Sequence, residues 1–296
     1  MSNTKPAFTE LERPFVCTMI SEPTIDAAAS VMKHSEFEGA DAFIVNLMGD
    51  GRFGLERQYL NEDDLGELFR STALPVLACY YRWQYDGGRV PETDPERMEI
   101  LRTAVRAGAD AVDMVGDTFD PTPGPPEFSD EATEYSLDGD SPPREAFADS
   151  EAVERQREEI RAVHDLGGEV QMTAHTRVHL TPDEAVAIGT QFEERGADMV
   201  KVVGVDMSWD DLVDTFQAAV RMDRELDVPF VMMSHGEHGV LGRYVTPFLG
   251  SMLCFTQHDY PPGGFYLQPL TTNVRAVFDS VKNTTPVREP EGQNWL

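Results

Sequence analysis

A lysine and a histidine carry the strongest chemical signal in the chain. Lys201 sits in Asp198-Met-Val-Lys-Val-Val-Gly-Val205, an apolar run that reads as a buried strand. The chain has only four lysines, Lys5, Lys33, Lys201 and Lys282; its other basic residues are arginines. Burying an unpaired ammonium is costly and favours the neutral amine. A neutral amine attacks carbonyl carbon and forms a Schiff base. The same position also fits a lysine that reaches along the strand end to pair with a carboxylate, and position alone leaves both readings open. His175 closes the preceding apolar run, Gln171-Met-Thr-Ala-His175. Neighbouring parallel strands lie ~5 Å apart, so inward residues near their ends can meet. An imidazole beside a Schiff-base nitrogen can move protons at the adjacent carbon. On its own, such a histidine reads as a structural hydrogen-bond donor.

Two arginines stand where they could fork onto a carboxylate. Arg82 ends Ala78-Cys-Tyr-Tyr-Arg82, and Arg243 follows His235-Gly-Glu-His-Gly-Val-Leu-Gly. The plainer role for each is an ion pair at the surface. Asn46 and Asp50 flank the end of the second apolar run and could meet hydroxyls. His235, His238 and His258, with Glu237 and Asp259, form a second constellation of metal-ligand types. No His-x-His follows the first run and no cysteine pair has metal spacing, so no metal is expected.

The elements that would position these residues alternate along the chain. Apolar runs at 14–20, 41–48, 75–82, 110–116, 169–175, 198–205, 229–235 and 252–258 read as eight strands. Amphipathic stretches at 24–37, 63–71, 95–107, 150–166, 182–195, 209–226, 240–249 and 271–281 read as helices. Thr181-Pro182-Asp183-Glu184 and Ser208-Trp209-Asp210-Asp211 carry helix-start chemistry, and Gly39, Gly108, Gly167 and Gly196 stand at helix stops. Eight such pairs in one unit predict a (β/α)8 barrel, with an open doubly wound sheet as the alternative. No glycine-rich phosphate loop follows the first strand, which weighs against that alternative. We expect a single domain over 1–296 with its core at about 14–281. An acidic, proline-rich insertion at 117–149 follows the fourth strand and reads either as a solvated excursion or as a lid over the mouth. The tail 283–296 reads as irregular.

Composition bounds the rest. The 296 residues include 24 Lys+Arg against 53 Asp+Glu, a formal charge of −29. That charge argues against nucleic acid, which needs a basic face. No apolar stretch reaches the ~20 residues of a membrane span, and the start Met1-Ser-Asn-Thr-Lys-Pro has no secretory core. Cys17, Cys79 and Cys254 lie inside apolar runs and read as buried thiols of a reducing, cytoplasmic compartment. Abundant carboxylate with scarce lysine suggests a protein of molar salt, where screening suppresses self-repulsion.

Several motifs, in order, resemble the type I 3-dehydroquinate dehydratases. Gln171-Met-Thr-Ala-His175, then Thr181-Pro182, then Val200-Lys-Val-Val203 looks like that family's histidine strand and lysine strand. Met233-Ser-His-Gly-Glu-His-Gly-Val-Leu-Gly-Arg243, Leu249-Gly-Ser251 and Tyr260-Pro-Pro-Gly263 are similar to its seventh-strand loop, strand entry and substrate loop, and Tyr81-Arg82 fits its third-strand arginine. The resemblance implies dehydration of 3-dehydroquinate to 3-dehydroshikimate. Lys201 would form the imine and His175 would shuttle the protons. Arg243 would hold the substrate carboxylate, with Arg82, Asn46, Asp50, Gly264 and Gln268 around the substrate. No cofactor would be needed. The partner would be a small oxo acid; from its size alone, the barrel is expected to pair as a homodimer. Lys201→Ala should abolish the chemistry and leave the fold intact.

The departures from the family are equally plain. Asn46 and Met48 stand where the family has a glutamate and an arginine. Val115 stands where it has a glutamate that orients the histidine. Gly264 replaces a glutamine, with Gln268 nearby. The alternatives are therefore a Schiff-base lyase or aldolase for another oxo acid, a non-catalytic binding barrel, or a metal-dependent barrel.

Overall fold

Each of the eight apolar runs becomes a parallel strand in the computed structural model, which describes residues 5–48, 53–82, 89–122, 130–138, 140–260 and 267–284. The strands are β1 (Phe15–Ile20), β2 (Ala42–Asn46), β3 (Val76–Cys79), β4 (Ala111–Val115), β5 (Glu169–His175), β6 (Met199–Val205), β7 (Phe230–His235) and β8 (Leu253–Thr256). Each strand from β1 to β7 lies beside its chain neighbours, and β8 returns to pair with β1. That order excludes an open doubly wound sheet. Between β7 and β8 the ring is drawn together by the Met252 N–H donating to Phe230 O at 2.7 Å and the Met232 N–H donating to Ser251 Oγ at 3.1 Å. The architecture is the expected (β/α)8 barrel.

Strand alternation sorts the side chains. Phe15, Cys17, Ile44, Leu77, Cys79, Ala111, Met199, Val231 and Leu253 pack together inside the barrel. Phe43, Val45, Ala78, Val112, Val200 and Val202 face outward to the helix layer. The period of two therefore turns Asp113, Gln171, Thr173, His175, Lys201 and Val203 to the interior.

The helices are α1 (Ile25–Glu38), α2 (Glu62–Arg70), α3 (Asp94–Ala107), α4 (Asp130–Leu137), α5 (Ser150–Asp165), α6 (Pro182–Arg195), α7 (Trp209–Glu225), α8 (Gly239–Val245) and α9 (Thr271–Thr284). Thr181 and Ser208 close capping boxes, each accepting the backbone N–H three residues on. The stretch 240–249, expected as one helix, breaks at Thr246-Pro247 into α8 and a tight turn (Thr246–Leu249), because proline has no N–H to continue the ladder. Strand β3 stops at Cys79; beyond it Tyr80 packs in the outer layer with its hydroxyl donating to Glu92 Oε2 at 2.6 Å, and Tyr81 joins the barrel interior.

The described residues of the segment between β4 and α5 include regular structure that its composition does not suggest. Helix α4 lies within it, and Ala132, Arg144, Glu145 and Ala146 are buried. The tail beyond Thr284 lies outside the described residues. Among the described residues, no helix is long and apolar enough to cross a membrane. Cys17, Cys79 and Cys254 are buried free thiols.

Candidate active site at the barrel mouth

Lys201 lies midway along β6, where every residue is buried, and its side chain points into the barrel with 4% exposure. Its Nζ donates to the Tyr81 hydroxyl at 2.9 Å and to Asp113 Oδ2 at 3.1 Å. Asp113 is the middle residue of β4. Its Oδ2 also accepts from the Tyr81 hydroxyl at 2.7 Å and from Gln171 Nε2 at 3.0 Å. The rings of Tyr81 and Phe255 flank the ammonium at 5.3 and 5.2 Å. Lys201 is thus both buried and paired, and the partner lies across the barrel interior rather than at the end of its own strand. The pair supplies an amine with a proton acceptor beside it, the arrangement a carbonyl-directed lysine needs.

His175 ends β5, and the edge of its ring meets the Tyr81 ring at 5.1 Å between centroids, nearly perpendicular. Glu145, from the β4–α5 segment, reaches it. Glu145 Oε2 accepts the His175 backbone N–H and contacts Nδ1, each at 2.9 Å. Glu145 Oε1 accepts from Arg144 Nη2 at 3.0 Å. Burial alone would push the Glu145 carboxyl up, but the charges of Arg144 and then His175 outweigh it and hold the group down at about 2. The carboxylate is ionised at neutral pH and aligned on the ring.

Asn46 donates its amide to Phe53 O and accepts the Met48 N–H at 3.0 Å, so it shapes the β2–α2 connection. Arg82 is buried. It donates to Asp94 Oδ2 at 2.8 Å, to Asp117 Oδ2 at 3.0 Å and to Asp117 O at 3.2 Å. The expected ion pair at Arg82 is present, but inside the protein rather than on its surface. Arg243 is buried on α8 with Nη1 3.2 Å from Met233 Sδ, a residue of the barrel interior. Gln268 is buried, and its backbone O accepts from Gln257 Nε2 at 3.0 Å. Asp50 and Gly264 lie outside the described residues.

The three candidate metal histidines have separate partners. His258 pairs with Glu38 at 2.9 Å and stacks on His34. His238 stacks on Trp209 at 4.2 Å. His235 is buried at the end of β7, and burial, reinforced by the Arg243 charge, holds its pKa well below the usual imidazole range. Among the described residues, no group of three or more His, Cys, Asp or Glu side chains is arranged to hold a metal ion.

Sequence reasoning overlooked Tyr81, Asp113 and Glu145 as site residues. Asp113 was detectable as the one acid in the run Ala111-Val-Asp-Met-Val115, at inward parity. Tyr81 depends on where β3 ends. Glu145 carries no local signal, because it meets His175 only through the path of the β4–α5 segment.

Residues 146–272, which carry β5 to β8, match the model of the Type I 3-dehydroquinase family. The 3-dehydroquinate dehydratase of Aromatoleum aromaticum is 26% identical over 73% of this chain and 72% of its own length. That of Desulfotalea psychrophila is 24% identical over 82% of this chain and 88% of its own. Among solved structures, the fold resembles the type I 3-dehydroquinate dehydratase of Clostridium difficile, with TM-score 0.68, 17% identity and coverage of 93% and 95% of the two chains. The 3-dehydroquinate dehydratase of Geobacillus kaustophilus gives TM-score 0.67 at 18% identity and 92% of each chain. The stretch that matches the type I 3-dehydroquinase family model holds both the histidine strand and the lysine strand, and over it the chain is similar to that family.

Proposed function

We propose that the protein is a hydro-lyase that dehydrates 3-dehydroquinate to 3-dehydroshikimate through an imine on Lys201. The observation that carries this reading is the meeting of Lys201, Tyr81, Asp113 and His175 inside a parallel barrel. The amine of Lys201, its proton passed to the Tyr81–Asp113 couple, adds to the ring ketone and water departs. The imine is an electron sink for the adjacent carbon. His175 removes the neighbouring proton, and the electron pair moves toward the imine nitrogen. The same imidazole then returns its proton to the departing hydroxyl. Water releases the product and regenerates the amine. Arg243, whose Nη1 lies 3.2 Å from Met233 Sδ in the barrel interior, would hold the substrate carboxylate in this reading.

A second reading keeps the same chemistry on another small oxo acid. It is favoured by Asn46, whose side chain is turned into its own loop, and by Arg82, which is committed to Asp94 and Asp117. Borohydride trapping separates the two. A reduced adduct on the Lys201 peptide with 3-dehydroquinate supports the first reading. An adduct only with other oxo acids supports the second. Absence of any adduct from folded protein overturns both.

A further inference from the structure

The carboxylate on His175 comes from the segment between β4 and α5, not from the end of a strand. Glu145 lies one residue before the matched stretch 146–272. The end of β4, where the resemblance implies an orienting glutamate, carries Val115. Glu145 takes up two donors of one residue, the backbone N–H and the ring of His175, with the same oxygen. A carboxylate held this way fixes the ring plane and draws the proton of the neutral imidazole to Nδ1, leaving Nε2 for the substrate. Arg144 holds the other oxygen, and the Arg144 N–H donates to Thr176 O at 3.0 Å, tying the segment to the residue after His175.

The backbone makes the same point. Glu145 adopts φ +58°, a left-handed conformation that is strained for a residue with a Cβ. Gly116 lies directly beneath. A Cβ there would sit 2.1 Å from the Glu145 carbonyl oxygen and 2.4 Å from the Phe192 ring, so only glycine admits this path. The surrounding structure thus enforces a conformation whose visible product is the contact with His175.

We infer that Glu145 is the positioning residue for His175, and that the acidic β4–α5 segment is part of the catalytic apparatus rather than a solvated excursion. The inference rests on reading His175 as the general acid/base, but it can be tested without substrate. Nitrogen-15 NMR of histidine-labelled protein reads the His175 tautomer and the resonance of its ring proton. Wild type should show the Nδ1–H tautomer with a strongly downfield proton. Glu145→Gln keeps an acceptor but removes the charge, and should move that proton upfield. Glu145→Ala should shift the ring toward the Nε2–H tautomer. In turnover of 3-dehydroquinate, Glu145→Gln should lower kcat about tenfold or more with KM within about twofold, and borohydride trapping on Lys201 should persist. A ring proton unchanged in Glu145→Gln overturns the inference whether or not the protein turns over this substrate. Absent turnover and trapping in wild type, with the resonance shifts as expected, overturns the proposed function and leaves the role of Glu145 standing.

Discussion

Lys201 Nζ and Asp113 Oδ2 lie 3.1 Å apart inside the barrel, on strands separated by β5. Both groups are almost fully buried, so each charge depends on the other for solvation. Lys201→Ala should therefore abolish imine trapping and also destabilise the protein by about 3–5 kcal/mol, the usual cost of stranding one partner of a buried pair. This differs from the intact stability expected from sequence, because the partner was not visible there. Adding Asp113→Asn should recover most of the loss. Urea unfolding of the single and double variants reads both effects. A single variant as stable as wild type would mean that Tyr81 and Gln171 suffice to hold Asp113.

The phenol of Tyr81 bridges this pair, accepting from Lys201 and donating to Asp113. Tyr81→Phe removes the bridge and little else. Stability should change by about 1 kcal/mol, the usual worth of one hydrogen bond. Imine formation should slow by about 10²-fold, the low end for loss of a proton-transfer group. Single-turnover trapping measures the rate, and a wild-type rate would remove Tyr81 from the proton path.

Arg82 gives the opposite pattern. Its guanidinium joins Asp94, on the first turn of α3, to Asp117, just beyond β4. Arg82→Ala leaves both carboxylates without this cation and should cost about 3–5 kcal/mol. KM for 3-dehydroquinate should stay within a few-fold. Normal stability with a large rise in KM would show instead that the arginine serves the substrate.

Asp117 adds a pH signature. Burial, reinforced by the charge of Glu145, pushes its carboxyl up to about 6 against the pull of Arg82. The folded protein therefore holds a proton on Asp117 at a pH where the unfolded chain has released it. The stabilisation is complete below about pH 4 and is lost as pH rises through about 6. Glu145, depressed to about 2, has the reverse sign and weakens the fold only as pH falls from about 4.5 toward that value. Asp117→Asn should remove the decline between pH 4 and 6. Denaturant midpoints across that range test it, and an unchanged slope would assign the decline to other groups.

The barrel was legible in the sequence because each of its parts has a local cause. The period-two runs, the capping boxes at Thr181 and Ser208 and the glycines at helix stops all act within a few residues. Lys201 and His175 were legible for a related reason: each is a polar group in an otherwise apolar strand. The relations among site residues were not. The Asp113–Lys201 contact spans 88 residues and the Glu145–His175 contact spans 30, and neither leaves a periodic trace. Helix α4 was masked by the prolines and acids around it, which marked the whole segment as irregular. Arg82 drew attention by its place at a strand end, yet its two carboxylate partners come from the start of α3 and the end of β4.

Gly116 has no functional group and does not touch His175. Yet a single methyl there would collide with the carbonyl of Glu145 and with Phe192, and so dislodge the carboxylate two contacts away. A survey of substitutions scored by activity alone would rank this position with the lysine and the histidine. Its contribution is empty volume, and an assay of chemistry would record that volume as if it were a reagent.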